Sequence, residues 1–121
     1  MYKTTIKDFD TFTKMVFAYQ DLFELNNWDI DTDHSDLKNL GLEGRCYTDV
    51  KDHVATIQLN KKIVIKPDLN CLALHEVMHI FLSPVKSLAE SRWVSEEEVY
   101  QAHEEEVTKL TNILIKKFKR R

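Results

Sequence analysis

The 121-residue chain has few of the residues that interrupt regular structure, with only two glycines and two prolines. Flexible linkers and low-complexity segments are rich in glycine, proline and serine, so this scarcity argues against two domains joined by a connector. The length is also that of one ordinary domain with one hydrophobic core. We therefore expect a single domain over residues 1–121 with one functional site.

Cysteine and long apolar runs are scarce as well. The two cysteines, Cys46 and Cys71, lack the close spacing of a zinc-binding pair, and we expect both to stay reduced. No stretch approaches the roughly 18 consecutive apolar residues of a membrane-spanning helix. The N-terminus enters a helical pattern containing Asp8 and Asp10 instead of the apolar region of a signal peptide. These absences predict a cytoplasmic protein that does not act at a membrane.

Neither sign of charge is in large excess, because 17 basic and 20 acidic residues give a net charge of −3. Nucleic acid is therefore not expected as the main partner. The basic run at 116–121 is interpreted as a solvated helix end that complements the helix dipole. With 43% hydrophobic residues the chain is expected to fold, as a monomer or a weak oligomer.

An amphipathic helix is predicted near each end of the chain. Apolar residues recur at steps of three and four from Ile6 to Phe23, which predicts a helix over about 6–24. Ser95 and Glu98 have the spacing of a capping box, with Val94 and Val99 placed to pack across it. This pair predicts that the last helix begins near residue 96. Its apolar stripe continues through Val107, Leu110, Ile113, Leu114 and Phe118.

Short strands and one further helix are predicted between these two. Alternating apolar residues indicate strands near 28–30, within 43–50 and over 53–59, with 63–65 as another candidate. Pro67 and Pro84 bracket a helix expected over 68–83, because proline suits a first helical turn or the position just past a helix end. The resulting order of helix, strands, helix and helix predicts an α+β fold.

The segment His75-Glu76-Val77-Met78-His79 lies in the middle of that predicted helix. Residues four apart in an α-helix project about 40° from each other, so His75 and His79 could hold one metal ion. Glu76 projects about 100° from His75, where its carboxylate could reach a water at the metal. The surrounding residues are mostly apolar, and two histidines with a buried glutamate are costly there unless a cation compensates.

This arrangement predicts a metal site with hydrolytic chemistry. A zinc ion with three protein ligands keeps one position for water and lowers the pKa of that water toward ~7, so Glu76 could act as general base. An iron site with two histidines and a carboxylate is the chemically most similar alternative. The histidine pair with an interposed glutamate favours zinc.

The motif matches the H-E-x-x-H signature of the zincin metallopeptidases. Over about 28–115 the chain resembles small phage and bacterial zincins, broadly those of the ImmA/IrrE type and SprT-like domains. The resemblance implies a minimal zincin-like fold with a small, mainly antiparallel sheet, an active-site helix and a C-terminal helix that supplies the third zinc ligand. It also implies a metalloendopeptidase that cleaves a protein or peptide, with Glu76 as the catalytic residue. Leu82 and Val85 exclude the metzincin branch, which has glycine and a third histidine there.

The resemblance also suggests where substrate would lie. In zincins a strand at the sheet edge beside the site pairs with extended substrate, and segment 53–59 takes that place in the chain order. An ordinary interior strand is the alternative interpretation. The alternative function is a regulatory or binding domain whose metal is mainly structural, because a fold and a motif do not guarantee turnover.

The third metal ligand is expected from the last helix, where His103, Glu104 and Glu106 are candidates. At about 100° per residue, His103 faces the centre of the buried stripe, Glu104 and Glu106 lie on its margins, and Glu105 faces solvent. These angles alone favour His103. In the resemblance to ImmA/IrrE-type zincins, the ligand glutamate precedes apolar or small residues at a fixed spacing, which assigns the ligand to Glu104. His103 is then the alternative, or a hydrogen-bonding partner of the ligand shell or the substrate.

Overall fold

The structure, a computed structural model, describes residues 1–90 and 95–119. The described part contains three helices and five strands and confirms the α+β class. In chain order the elements are β1 (Tyr2–Lys3), α1 (Ile6–Leu22), β2 (Asp29–Ser35), β3 (Gly44–Asp49), β4 (Val54–Asn60), β5 (Lys62–Ile63), α2 (Leu69–Glu90) and α3 (Glu96–Lys119).

Strand β4 is the centre of a three-stranded sheet, with β2 parallel on one side and β3 antiparallel on the other. Strands β1 and β5 form a separate antiparallel pair. The prediction of a mainly antiparallel sheet is therefore only partly confirmed, because the central sheet is mixed and one of its two pairings is parallel. The prediction that 53–59 forms the substrate-binding edge is wrong, because β4 has a neighbour on each side. The edge strand that contacts α2 is β3.

Helix α1 packs its buried residues Phe12, Val16 and Tyr19 against α2. Its first turn is closed by a capping box that was not predicted: the Thr5 hydroxyl accepts from the Asp8 N–H, and the Asp8 carboxylate accepts from the Thr5 N–H. The helix ends at Leu22, two residues before the predicted end. Glu24 has a φ of 57°, so the chain turns away from the helix there.

Helix α2 continues through Pro84 to Glu90, which corrects the predicted end at residue 83. Proline has no N–H, so the carbonyl of Ile80 loses its usual helical donor at this position. The hydroxyl of Ser83, itself buried, donates to that carbonyl at 2.7 Å. This contact satisfies the carbonyl inside the core and lets the helix extend by about two more turns.

Helix α3 begins where the capping pair predicts, because the Ser95 hydroxyl accepts from the Glu98 N–H at 3.2 Å. Its buried side chains recur at steps of four, at Val99, His103, Val107, Thr111 and Ile115. Such a row is the ridge that packs into the groove of a neighbouring helix, here α2. Ile113, predicted on the buried stripe, is 60% exposed because it lies off this row.

Some predictions fall outside the described part of the chain: those for Val94, the side chains of Phe118 and Lys119, and Arg120 and Arg121 in the basic run. Within the described part, no helix has both the length and the apolar character needed to cross a lipid bilayer. Cys46 and Cys71 are not joined in a disulfide.

Candidate metal centre

Helix α2 presents His75 and His79 on one face. The helix begins after Asp68, whose carboxylate accepts from the Cys71 N–H at 3.1 Å and so caps the first turn. The imidazole rings of His75 and His79 have centroids 5.0 Å apart and meet edge to face. Their separation by one helical turn follows from the sequence spacing.

Helix α3 brings Glu104 opposite these two histidines. One carboxylate oxygen, Oε1, lies 3.0 Å from His79 Nε2, and the other, Oε2, lies 3.9 Å from His75 Nε2. The three possible ligand atoms all lie within 4.8 Å of one another. Among the described residues this is the one group of three or more such side chains that could hold a metal ion.

The other two candidates for the third ligand lie outside this group. Glu106 is exposed, and Glu105 faces solvent as its angle predicts. His103 is only 7% exposed, and its Nε2 lies 3.0 Å from Nδ1 of His79. One of these two nitrogens must carry a hydrogen. If His79 Nδ1–H donates to His103, the Nε2 lone pair of His79 remains available on the side of Glu104.

Burial keeps the histidines of the site in their neutral forms. It lowers the pKa of His75, and it is the largest cause of the lowered pKa of His103. For His79, burial and then the neighbouring His75 and His103 lower the pKa to about 3. Neutral imidazoles are the form that coordinates metal, so the site presents ligands that need no deprotonation at neutral pH.

Glu76 is almost completely enclosed, with 3% of its surface exposed. Burial, followed by repulsion from Glu104 and Glu43, raises its pKa to about 8. The carboxylate lies against the start of β3. A Cβ atom built on Gly44 would come within 3.3 Å of Glu76 Oε2 and within 2.8 Å of the Gln58 carbonyl. Glycine at this position therefore leaves the space that the Glu76 side chain occupies.

Two cavities share His75 and Glu76 in their walls and together form a cleft over the site. One cavity, of about 440 Å³, also contacts His79, Glu104 and Lys86. The other, of about 520 Å³, extends toward the loop before β3 and the start of α2. The first four residues of β3, 44–47, line the former cavity. The edge of the sheet therefore borders the metal-ligand group directly.

The residues of this cleft that were not predicted from the sequence include Arg45, Lys86 and Tyr100. Lys86 lies beyond the predicted end of its helix, so no pattern connected it with His79. Tyr100 precedes Glu104 by one helical turn, and that spacing was a usable signal once Glu104 had been assigned.

Comparisons with protein-family models, with curated proteins and with solved structures find no match to this chain. The resemblance to zincins stays an inference from the motif.

Proposed function

We propose that the chain is a zinc-dependent peptidase in which His75, His79 and Glu104 bind the metal and Glu76 is the general base. The observation that supports this proposal is the group of three ligand atoms within 4.8 Å of one another. The buried Glu76 carboxyl contacts the same cleft. Two imidazoles and one carboxylate are a common donor set for catalytic zinc, and they leave a coordination position open.

A zinc ion held there would act as a Lewis acid toward a substrate carbonyl and would lower the pKa of water toward ~7. Glu76 accepts a proton from the attacking water and later donates it to the leaving amine. Its pKa, about 8 without a cation, falls when a divalent charge lies close by, which favours the base form at neutral pH. The hydrogen bond between His79 Nδ1 and His103 Nε2 fixes the orientation of the His79 ring.

The position of β3 supports an extended peptide as the substrate. This strand is an edge of the three-stranded sheet, and it lines the cavity that contains His79 and Glu104. Main-chain groups at a sheet edge can pair with an added strand and hold it in register. A peptide bound along β3 would pass over the metal-ligand group and beside Glu76, which lines the same cavity.

The test combines metal content with cleavage of a peptide library. Glu76→Gln should retain zinc and lose hydrolysis, because the carboxylate acts on water and does not bind the metal. His79→Ala should lose zinc as well as activity, since it removes one ligand and the partner of His103. Loss of zinc in Glu76→Gln would contradict the assigned role. A wild-type protein that binds zinc, unfolds with chelator and cleaves no peptide would instead be a domain with a structural metal.

A further inference from the structure

Lys86 lies on the same helix face as the two histidines. It follows His79 by about two turns of α2 and projects only about 20° away from it. This placement depends on the continuation of α2 through Pro84 to Glu90. The Lys86 side chain consequently lines the same cavity as His79 and Glu104.

The ion pair that Lys86 forms within α2 is weak. Its ion-pair partner is Glu90, at 3.3 Å and one turn further along the helix, and both side chains are about one-third exposed. Exposed pairs of this kind contribute little and are screened by salt, so a bound anion can replace the partner. The ring of Tyr100 on α3 lies 5.9 Å from Lys86 Nζ and forms the opposite wall.

The two ends of the cleft differ in charge. The cavity toward the loop before β3 is lined by the carboxylates Glu43 and Asp68 and by one cation, Lys66. At the other end, the cavity that contains His79 is lined by two cations, Lys86 and Arg45, and its carboxylates are Glu76 and the candidate ligand Glu104. With a metal ion bound at Glu104, a substrate anion is favoured at this end over the other. Arg45 already donates to the Gln58 side chain and lies over the Tyr47 ring, so Lys86 is the cation more available to substrate.

We propose that Lys86 is a specificity-determining residue that binds a carboxylate of the substrate beside the cleaved bond, on the side of the cleft between α2 and α3. This inference rests on the proposed peptidase function. The carboxylate is either an Asp or Glu side chain or the free C-terminus of the peptide.

The experiment profiles cleavage of a proteome-derived peptide library by the zinc-loaded protein. The library is used in two forms, with free and with amidated C-termini. Wild type should prefer Asp or Glu over Asn or Gln by about two- to fivefold at one position flanking the cleaved bond, as expected for a single solvent-accessible charge contact. If the recognised carboxylate is the C-terminus, amidation should reduce cleavage by a similar factor.

Lys86→Glu should remove this preference and shift it toward Lys or Arg. The matched control is Lys62→Glu, which also disrupts an exposed ion pair, with Asp36 at 3.6 Å, but lies outside the cleft lining. The control should keep the wild-type preference. Zinc-loaded Glu76→Gln provides a second readout, because its affinity for matched Glu and Gln peptides can be measured by fluorescence anisotropy without cleavage.

The outcomes separate this inference from the function on which it rests. Absence of any cleavage by the zinc-loaded wild type would overturn the peptidase proposal and this one together. Cleavage with no acidic preference, or with a preference that Lys86→Glu leaves unchanged, would overturn only the role of Lys86. A Lys86→Met variant whose kcat falls equally for all peptides, with KM and preference unchanged, would also overturn it, because recognition would not be affected.

Discussion

The Glu76 carboxyl makes the stability of the metal-free protein depend on pH. Its pKa is raised by burial from the ordinary 4.5 to about 8. The folded state therefore binds this proton more tightly than the unfolded state does. The stability that it contributes is fully present below about pH 4.5 and is lost as the pH rises through about 8. At pH 7 the loss is roughly 3 kcal/mol, since each pH unit above the unfolded pKa costs about 1.4 kcal/mol.

Glu76→Gln removes the titrating group and keeps the size of the side chain. We expect the metal-free variant to match wild type near pH 4.5 and to exceed it by roughly 3 kcal/mol at pH 7. The lowered pKa values of His75 and His79 destabilise both proteins as the pH falls below about 6.5, so that effect cancels in the comparison. The measurement is urea unfolding of chelator-treated protein, followed by circular dichroism from pH 4.5 to 8.

A matched control is Glu105→Gln on the exposed face of α3, which should leave the pH dependence of wild type unchanged. Added zinc should reduce the difference between wild type and Glu76→Gln, because a nearby cation favours the ionised carboxylate. Parallel stability curves for the two metal-free proteins would refute the reasoning, because they would show that Glu76 ionises as readily in the folded protein as in the unfolded chain.

Three further predictions concern the supports of the site. Glu104→Ala should abolish tight zinc binding in a chelator competition. His103→Ala should weaken zinc binding by about 10- to 100-fold, as expected for the hydrogen-bonding partner of a ligand. A larger loss in His103→Ala than in Glu104→Ala would reassign the third ligand. Gly44→Ala should destabilise the protein by about 1–3 kcal/mol in thermal unfolding, because its methyl group would overlap the carbonyl of the neighbouring strand. Ser83→Ala should cost about 1–3 kcal/mol, because the Ile80 carbonyl loses its donor inside the core, and an unchanged melting temperature would exclude that role.

Local patterns were sufficient to predict that three helices exist and that His75 and His79 belong to the candidate site. The spacing of His75 and His79 fixes their common helix face whatever the rest of the chain does. The capping pair of Ser95 and Glu98 likewise marked the start of α3, because the hydroxyl and the N–H that it accepts from are only three positions apart.

The remaining features depend on contacts between distant parts of the chain. Strand pairing decides which strand is an edge, and no pattern within 53–59 shows that β4 lies between two neighbours. The end of α2 was misjudged because the donor that replaces the missing N–H of Pro84 is a side chain. Helical angles correctly made His103 the most buried candidate. These angles could not show that Glu104, at the margin of the buried stripe of α3, would reach the two histidines of α2.

The three candidate ligands come from two helices, and a shared ion would thereby act as a cross-link. It would connect His79 and Glu104, which are about 25 positions apart, and so restrict a loop of that length in the unfolded chain. A covalent bridge over such a loop is worth about 3 kcal/mol of chain entropy on the usual estimate, and a metal bridge acts in the same sense. Without the ion, α3 would open independently of the sheet, and amide hydrogen exchange in α3 would accelerate before exchange in β4 does.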